Sequence, residues 1–225
     1  MGDKLDREFY MGDDTISIAR QLLGKLIVVP NENGERISGM IVETEAYLGE
    51  ADRAAHSYGG RRTPRNEVMY GLAGYAYVFF VYGMYYQFNV VCGPINTPHA
   101  ILIRAVEPVE GIETMRERRG PMKDGNLASG PGKLCIAFGI NRGFNGEDLL
   151  GDRLWLEDYR KFSNNEIAVG KRIGIDYAGE DADKPWRFWV KGNPIVSKVR
   201  TGSGSDRIPI ANSAVPKSGR YRSRF

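Results

Sequence analysis

Two spacings of apolar residues divide the chain. Ile16, Ile18, Ala19, Leu22 and Leu23 follow a capping sequence, Asp13-Asp14-Thr15, and precede a stop at Gly24, which predicts a short helix. The spacing then falls to two. Residues 26–30 predict a strand, Asn33-Gly34 a hairpin turn and residues 36–47 the returning strand. Alternation along that strand sets Glu43, Glu45 and Tyr47 on one face. Residues 48–73 keep no period and predict a long loop, with one helical turn near 52–56; loops of that length inside a domain usually carry function. Residues 75–82 and 84–92 predict a hairpin with Gly83 at its tip, and residues 99–106 a strand in which Arg104 interrupts ILIRAV. Pro108 is the expected start of a helix running through 115–119, and Gly130-Pro131 starts another over 133–140. Short strands are expected at 154–156, 170–175 and 186–190.

These elements imply a mixed α+β fold. One compact domain over residues 1–199 would carry a curved, mainly antiparallel sheet flanked by helices, with a protruding β-hairpin. Residues 200–225, rich in Ser, Gly and basic side chains, read as a flexible extension. The 225 residues are 42% hydrophobic and 26% charged, an ordinary globular composition. No apolar run reaches membrane-spanning length, and the polar opening MGDKLDREFY is neither a signal peptide nor a myristoylation site, so the cytosol is expected. Cys92 and Cys135 lack any CxxC or His-Cys company, which predicts two buried thiols and no metal or other cofactor. Net charge is +3 but uneven. Residues 198–225 hold seven Lys/Arg against Asp206, leaving 24 basic and 27 acidic residues in the body. A polyanion would therefore need a local basic face.

The candidate chemistry gathers between residues 41 and 93. Glu43 and Glu45 could be general acid and base, metal ligands or a solvated strand edge, although flanking Ile41, Val42, Ala46 and Leu48 argue for burial. Arg104 requires a carboxylate partner, with Glu45 the obvious one; such a pair could hold a water or simply be structural. His56 by itself reads more readily as a structural histidine than as a functional one. Seven aromatics between Tyr75 and Tyr86 suit a core, yet Tyr82 beside the tip glycine would be exposed near arginines, as stacking on bases requires. The turn Gly59–Asn66 and the helix start at Ser129–Lys133 both suit phosphate oxygens, without the pattern of a nucleotide-binding P-loop.

The segments VETEAYLG, AAHSYGGRRTPRN, YVFFVYGMYYQFN, LIRAVEP, SGPGKL and PWRFWVKG together resemble the alkyladenine (3-methyladenine) DNA glycosylase family of the mammalian type, in order from about residue 8 to 197. The resemblance implies a monofunctional, metal-free enzyme that binds double-stranded DNA as a monomer, flips a damaged purine and hydrolyses its N-glycosidic bond. Glu45 matches the base for the attacking water, while Arg104 and the Ile175 carbonyl match groups that position it. Tyr47, His56 and Phe79 match the stack around the flipped base, and Asn89 a residue that rejects normal guanine. Tyr82, with Met84 and Tyr85, matches the hairpin wedge that enters DNA. Thr63, Arg65, Lys133 and Arg142 match phosphate-facing positions. Two departures stand out: Phe79 replaces a tyrosine, and Asp176-Tyr177 replaces a Gly-His-like pair. Rival readings are a glycosylase/lyase using Lys133 as nucleophile and a non-catalytic module for distorted DNA or RNA.

Overall fold

Alternation along the central strands decides which side chains meet the helices. Ile101, Ile103 and Ala105 join Phe88 and Val90 in the main core, while Ala100, Leu102 and Arg104 turn to the opposite face. The computed structural model describes residues 2–12, 14–81 and 83–197. The expected cap Asp13, the tip residue Tyr82 and the basic extension lie outside the described residues.

The elements run α1 (Arg7–Met11), α2 (Thr15–Gln21), β1 (Leu26–Pro30), β2 (Arg36–Leu48), β3 (Ala76–Val81), β4 (Tyr85–Cys92), β5 (His99–Glu110), α3 (Ile112–Arg119), α4 (Pro131–Phe138), β6 (Trp155–Glu157), β7 (Ile167–Gly170) and β8 (Arg187–Val190). The strands form one antiparallel sheet in the order β3-β4-β5-β2-β1-β6. β2 is long enough to serve two neighbours on one side: its first half pairs with β1, and Glu43–Glu45 pair with β8, which pairs with β7. Helices α2 and α4 cover one face of the sheet, with α3 packed on α4. Residues 49–70 cover part of the other face as three single 3-10 turns, Gly49–Ala51, Tyr58–Gly60 and Glu67–Tyr70. A second apolar cluster of Met69, Tyr70, Tyr77, Val91 and Ala100 lies beneath them.

Several expectations are corrected. Pro108 lies within β5, and α3 starts at Ile112 because Gly111, at φ +69°, turns the chain out of the sheet. The strand expected over 170–175 is β7, ending at Gly170; the chain then leaves the sheet across its face. A helical turn centred on 52–56 is absent, since Asp52 instead ties the loop down: its carboxylate accepts from the Leu48 and Ala54 amides at 3.1 and 3.0 Å. Helix α1 was not expected; Asp6 caps it by accepting from the Phe9 amide at 3.0 Å.

Candidate active site

Strand register draws a line of side chains across the face opposite the helices. Glu45 on β2 stands against Leu102 on β5, Leu102 against Asn89 on β4, and Asn89 against Tyr77 on β3. The next line holds Tyr47, Ala100 and Val91. Ala54, Ala55 and His56 from the loop and Ile173–Ile175 from beyond β7 close over these lines and leave a cavity of about 150 Å3. Space of that order accepts one aromatic group.

Glu45 is completely buried just behind Tyr47, Arg104 and Ile173, which line the cavity. Its Oε1 accepts from the Ile173 amide at 2.8 Å; its Oε2 accepts from the Tyr47 hydroxyl at 2.9 Å and lies 3.2 Å from Arg104 Nη1. Lost hydration lifts the Glu45 carboxyl above its ordinary range, against the opposing pull of Arg104 and the two hydrogen bonds. A carboxylate so raised is a stronger proton acceptor than one in water.

Arg104 does not belong to Glu45 alone. Its Nε donates to Glu43 Oε1 at 3.1 Å and its Nη2 to Ser197 Oγ at 3.4 Å. Glu43 also accepts from Arg187 Nη1 at 3.1 Å and from the Ser197 amide and hydroxyl, both at 2.8 Å. The expected pair is thus one end of a buried chain of two carboxylates and two guanidiniums, whose charges compensate out of water. Glu43, with four donors, is fully engaged in holding Arg104; neither a metal role nor a solvated edge suits it. Among the described residues no three His, Cys, Asp or Glu could share a metal ion.

Tyr47 has a backing that the sequence did not reveal. The Arg172 guanidinium lies between the Tyr47 and Trp186 rings, 4.8 and 4.9 Å from their centroids. Its Nη1 donates to Asp52 Oδ2 at 2.5 Å and the Ala46 carbonyl at 3.0 Å; its Nη2 donates to Asp52 Oδ1 at 2.8 Å and the Asp181 carbonyl at 3.1 Å. Arg172 therefore pins together the loop, β2 and the segment carrying Ile173. No sequence signal could join it to Asp52, 120 residues away.

His56, Tyr77 and Phe79 form one wall. His56 Nδ1 bonds the Tyr77 hydroxyl at 2.8 Å and its ring meets Phe79 edge-on at 4.5 Å. One side of His56 opens to solvent, yet lost hydration and the Arg65 and Arg61 charges hold its pKa below the ordinary value, so it is neutral at pH 7. Because His56 and Phe79 touch, they cannot stack on opposite sides of one guest; Tyr47 faces them from β2. Asn89 donates through Nδ2 to the Tyr77 carbonyl at 3.1 Å, leaving Oδ1 as an acceptor. Ile175 is buried in the segment that closes the cavity, and its carbonyl accepts from the Ala178 amide at 2.8 Å. Tyr177 stands at the rim, 73% exposed.

The hairpin projects apolar groups into solvent: Phe80, Tyr85 and, at 62% exposure, Met84. Gly83 takes the left-handed position of its turn at φ +67°. Gly132 brings the start of α4 against the hairpin, since a Cβ there would lie 2.9 Å from the Tyr85 ring. Basic clefts flank the cavity. Arg53, Arg61, Thr63 and Arg65 line one beside His56. Lys123, Lys133, Lys171 and Arg187 line the other, which shares Ile173 and Gly174 with the cavity. Thr63 donates to Asn66 Oδ1 at 2.9 Å, Arg65 donates to the Phe80 carbonyl at 3.2 Å, and Lys133 donates to Ser129 Oγ and Asn126 Oδ1, both at 3.1 Å. Arg142 is exposed and lines neither cleft.

A buried acid behind an aromatic cavity, between basic clefts, defines an enzyme built for a flat ring carried on an anionic backbone. Residues 8–194 match the family model described as methylpurine-DNA glycosylase. A protein of Clostridium acetobutylicum is 52% identical over 205 residues, covering 88% of this chain and 98% of its own. Proteins of Desulfitobacterium hafniense and Bacillus cereus are each 50% identical, over 202 and 200 residues, covering 86% and 84% of this chain and 98% and 97% of theirs. All three bear the name "Putative 3-methyladenine DNA glycosylase". The chain belongs to the methylpurine-DNA glycosylase family: it is a DNA glycosylase, an enzyme of base excision repair.

Proposed function

We propose that the enzyme extrudes alkylated or deaminated purines from duplex DNA into the cavity and hydrolyses the N-glycosidic bond with an activated water. The carrying observation is the buried, base-strength Glu45 beside an aromatic cavity. Extrusion costs a few kcal/mol in lost stacking and pairing, least for damaged bases. Tyr82, with Met84 and Tyr85, offsets part of that by filling the gap; the exposed apolar hairpin supports this reading. The base then stacks between Tyr47 and the His56/Phe79 wall, where a cationic alkylated purine gains attraction from the π faces. Asn89 Oδ1 supports a role in rejecting unsuitable base edges.

In the chemical step water attacks the anomeric carbon, Glu45 takes its proton and the base departs with the bonding electron pair. Tyr47 must yield the Glu45 oxygen that its hydroxyl holds, and Arg104 and the Ile175 carbonyl orient the water. The Glu45 charge also stabilises the developing positive sugar. Lys133 lines the neighbouring cleft rather than the cavity, which favours a monofunctional enzyme over a lyase. The catalytic unit would be residues 1–199, acting as a monomer.

The deciding experiment is release of free base from duplexes carrying 3-methyladenine, 7-methylguanine, hypoxanthine or ethenoadenine. Release of none, with duplex binding intact, would leave only a binding module. Trapping of a covalent adduct by borohydride would replace the water by Lys133. Phosphate contacts are tested by salt: Arg65→Ala and Lys133→Ala should each reduce the slope of log affinity against log salt by about 1, alike for damaged and undamaged duplexes. An unchanged slope would remove that residue from the interface.

A further inference from the structure

Gln87 lines the cavity on β4, directly opposite Phe79 on β3 and two residues from Asn89 on the same face. Arg104, two residues beyond Leu102 on β5, lines the same space. The three polar side chains differ in what they have left to give. Asn89 has committed one of its two N–H groups to the Tyr77 carbonyl, and Arg104 has committed its nitrogens to Glu43, Glu45 and Ser197. Among the described residues no protein group hydrogen-bonds the Gln87 carboxamide, which therefore keeps both a donor and an acceptor for a guest.

We propose that Gln87 is a specificity-determining residue whose amide hydrogen-bonds neutral damaged purines, an inference that rests on the glycosylase reading above. The chemistry separates two substrate classes. An N-alkylated purine is cationic: the aromatic walls attract it, and its positive charge already favours departure. A neutral deaminated purine such as hypoxanthine has neither advantage. Its N3, N7 and exocyclic oxygen are acceptors and its N1–H is a donor, so it depends more on hydrogen bonds inside the cavity. Of the amides lining the cavity, Gln87 is the one with both N–H groups and its oxygen uncommitted, whereas Asn89 is held in place by its bond to the Tyr77 carbonyl. Its half-buried position, with Phe79 across the ladder, keeps that bond partly sheltered from water.

The test compares single-turnover release of hypoxanthine and of 7-methylguanine by the full chain, by Gln87→Leu and by Gln87→Met, each checked by thermal melting. Both variants keep the bulk of the side chain and remove its hydrogen bonding. Hypoxanthine release should fall about tenfold, the loss expected for one hydrogen bond, with 7-methylguanine release unchanged within about twofold. Equal losses on both bases would show that Gln87 merely shapes the cavity, and no loss on either would show that its amide touches no substrate; each result overturns the proposal. Failure of the parental chain to release either base would instead defeat the glycosylase mechanism itself, and this inference with it.

Discussion

Glu45→Gln should reduce single-turnover base release by roughly a thousandfold while leaving affinity for damaged duplex within a fewfold of the parent. Gln keeps the size of Glu and its one oxygen can still accept from either the Ile173 amide or the Tyr47 hydroxyl, but it cannot take a proton from water. The folded-state pKa of Glu45 is raised, so its contribution to stability is complete below the unfolded value and is lost as pH rises through the folded value. A neutral Gln escapes that loss, so the drop in melting temperature caused by the lost hydrogen bond and the unbalanced Arg104 charge should be smaller at pH 8 than at low pH. The same shift sets the pH profile of the parent: activity should fall as pH drops through a limb above the ordinary carboxylate value. His56, held neutral, should add no limb near 6.5. Release by Glu45→Gln at near parental rate would end the assignment.

Arg172→Met should lower stability by about 3–5 kcal/mol, because it leaves Asp52 buried without its cation. For a chain of this length that corresponds to a fall of about 10 °C in melting temperature. Activity should be lost even where the variant remains folded, since Arg172 backs the Tyr47 ring and fixes the segment that delivers the Ile173 amide to Glu45. Paired replacement, Asp52→Leu with Arg172→Met, should recover much of the stability and little of the activity. A single variant with an unchanged melting temperature would show that the buried pair contributes nothing net.

Much of the architecture was legible because it follows from local rules. β1 was bounded correctly by its apolar run and the β3–β4 hairpin by aromatics about Gly83, while α2 starts at the expected cap but ends at Gln21, before Gly24. Pro108 misled because its fixed φ suits a helix start and an edge-like strand end equally; the turn is made at Gly111. Residues 171–175 misled because Arg172 and Ile173 alternate like a strand although their hydrogen bonds go to side chains and loops. The burial of Glu45 was inferable from its apolar neighbours, whereas the sharing of Arg104 with Glu43 depends on irregular register between β2 and β5 near residue 43.

By itself the sequence determined the face of its strand on which Glu45 and Tyr47 stand, because alternation is a property of the backbone; the alignment of Glu45, Leu102, Asn89 and Tyr77 across strands came from register. It also carried the motif order that marks the family. Only the tertiary structure decided how the charges pair. Arg172 with Asp52, and Arg187 and Ser197 with Glu43, are joined across more than a hundred residues, and a buried ion finds its partner through packing rather than spacing. The strength of Glu45 as a base comes from that burial, which no neighbour in the chain could impose.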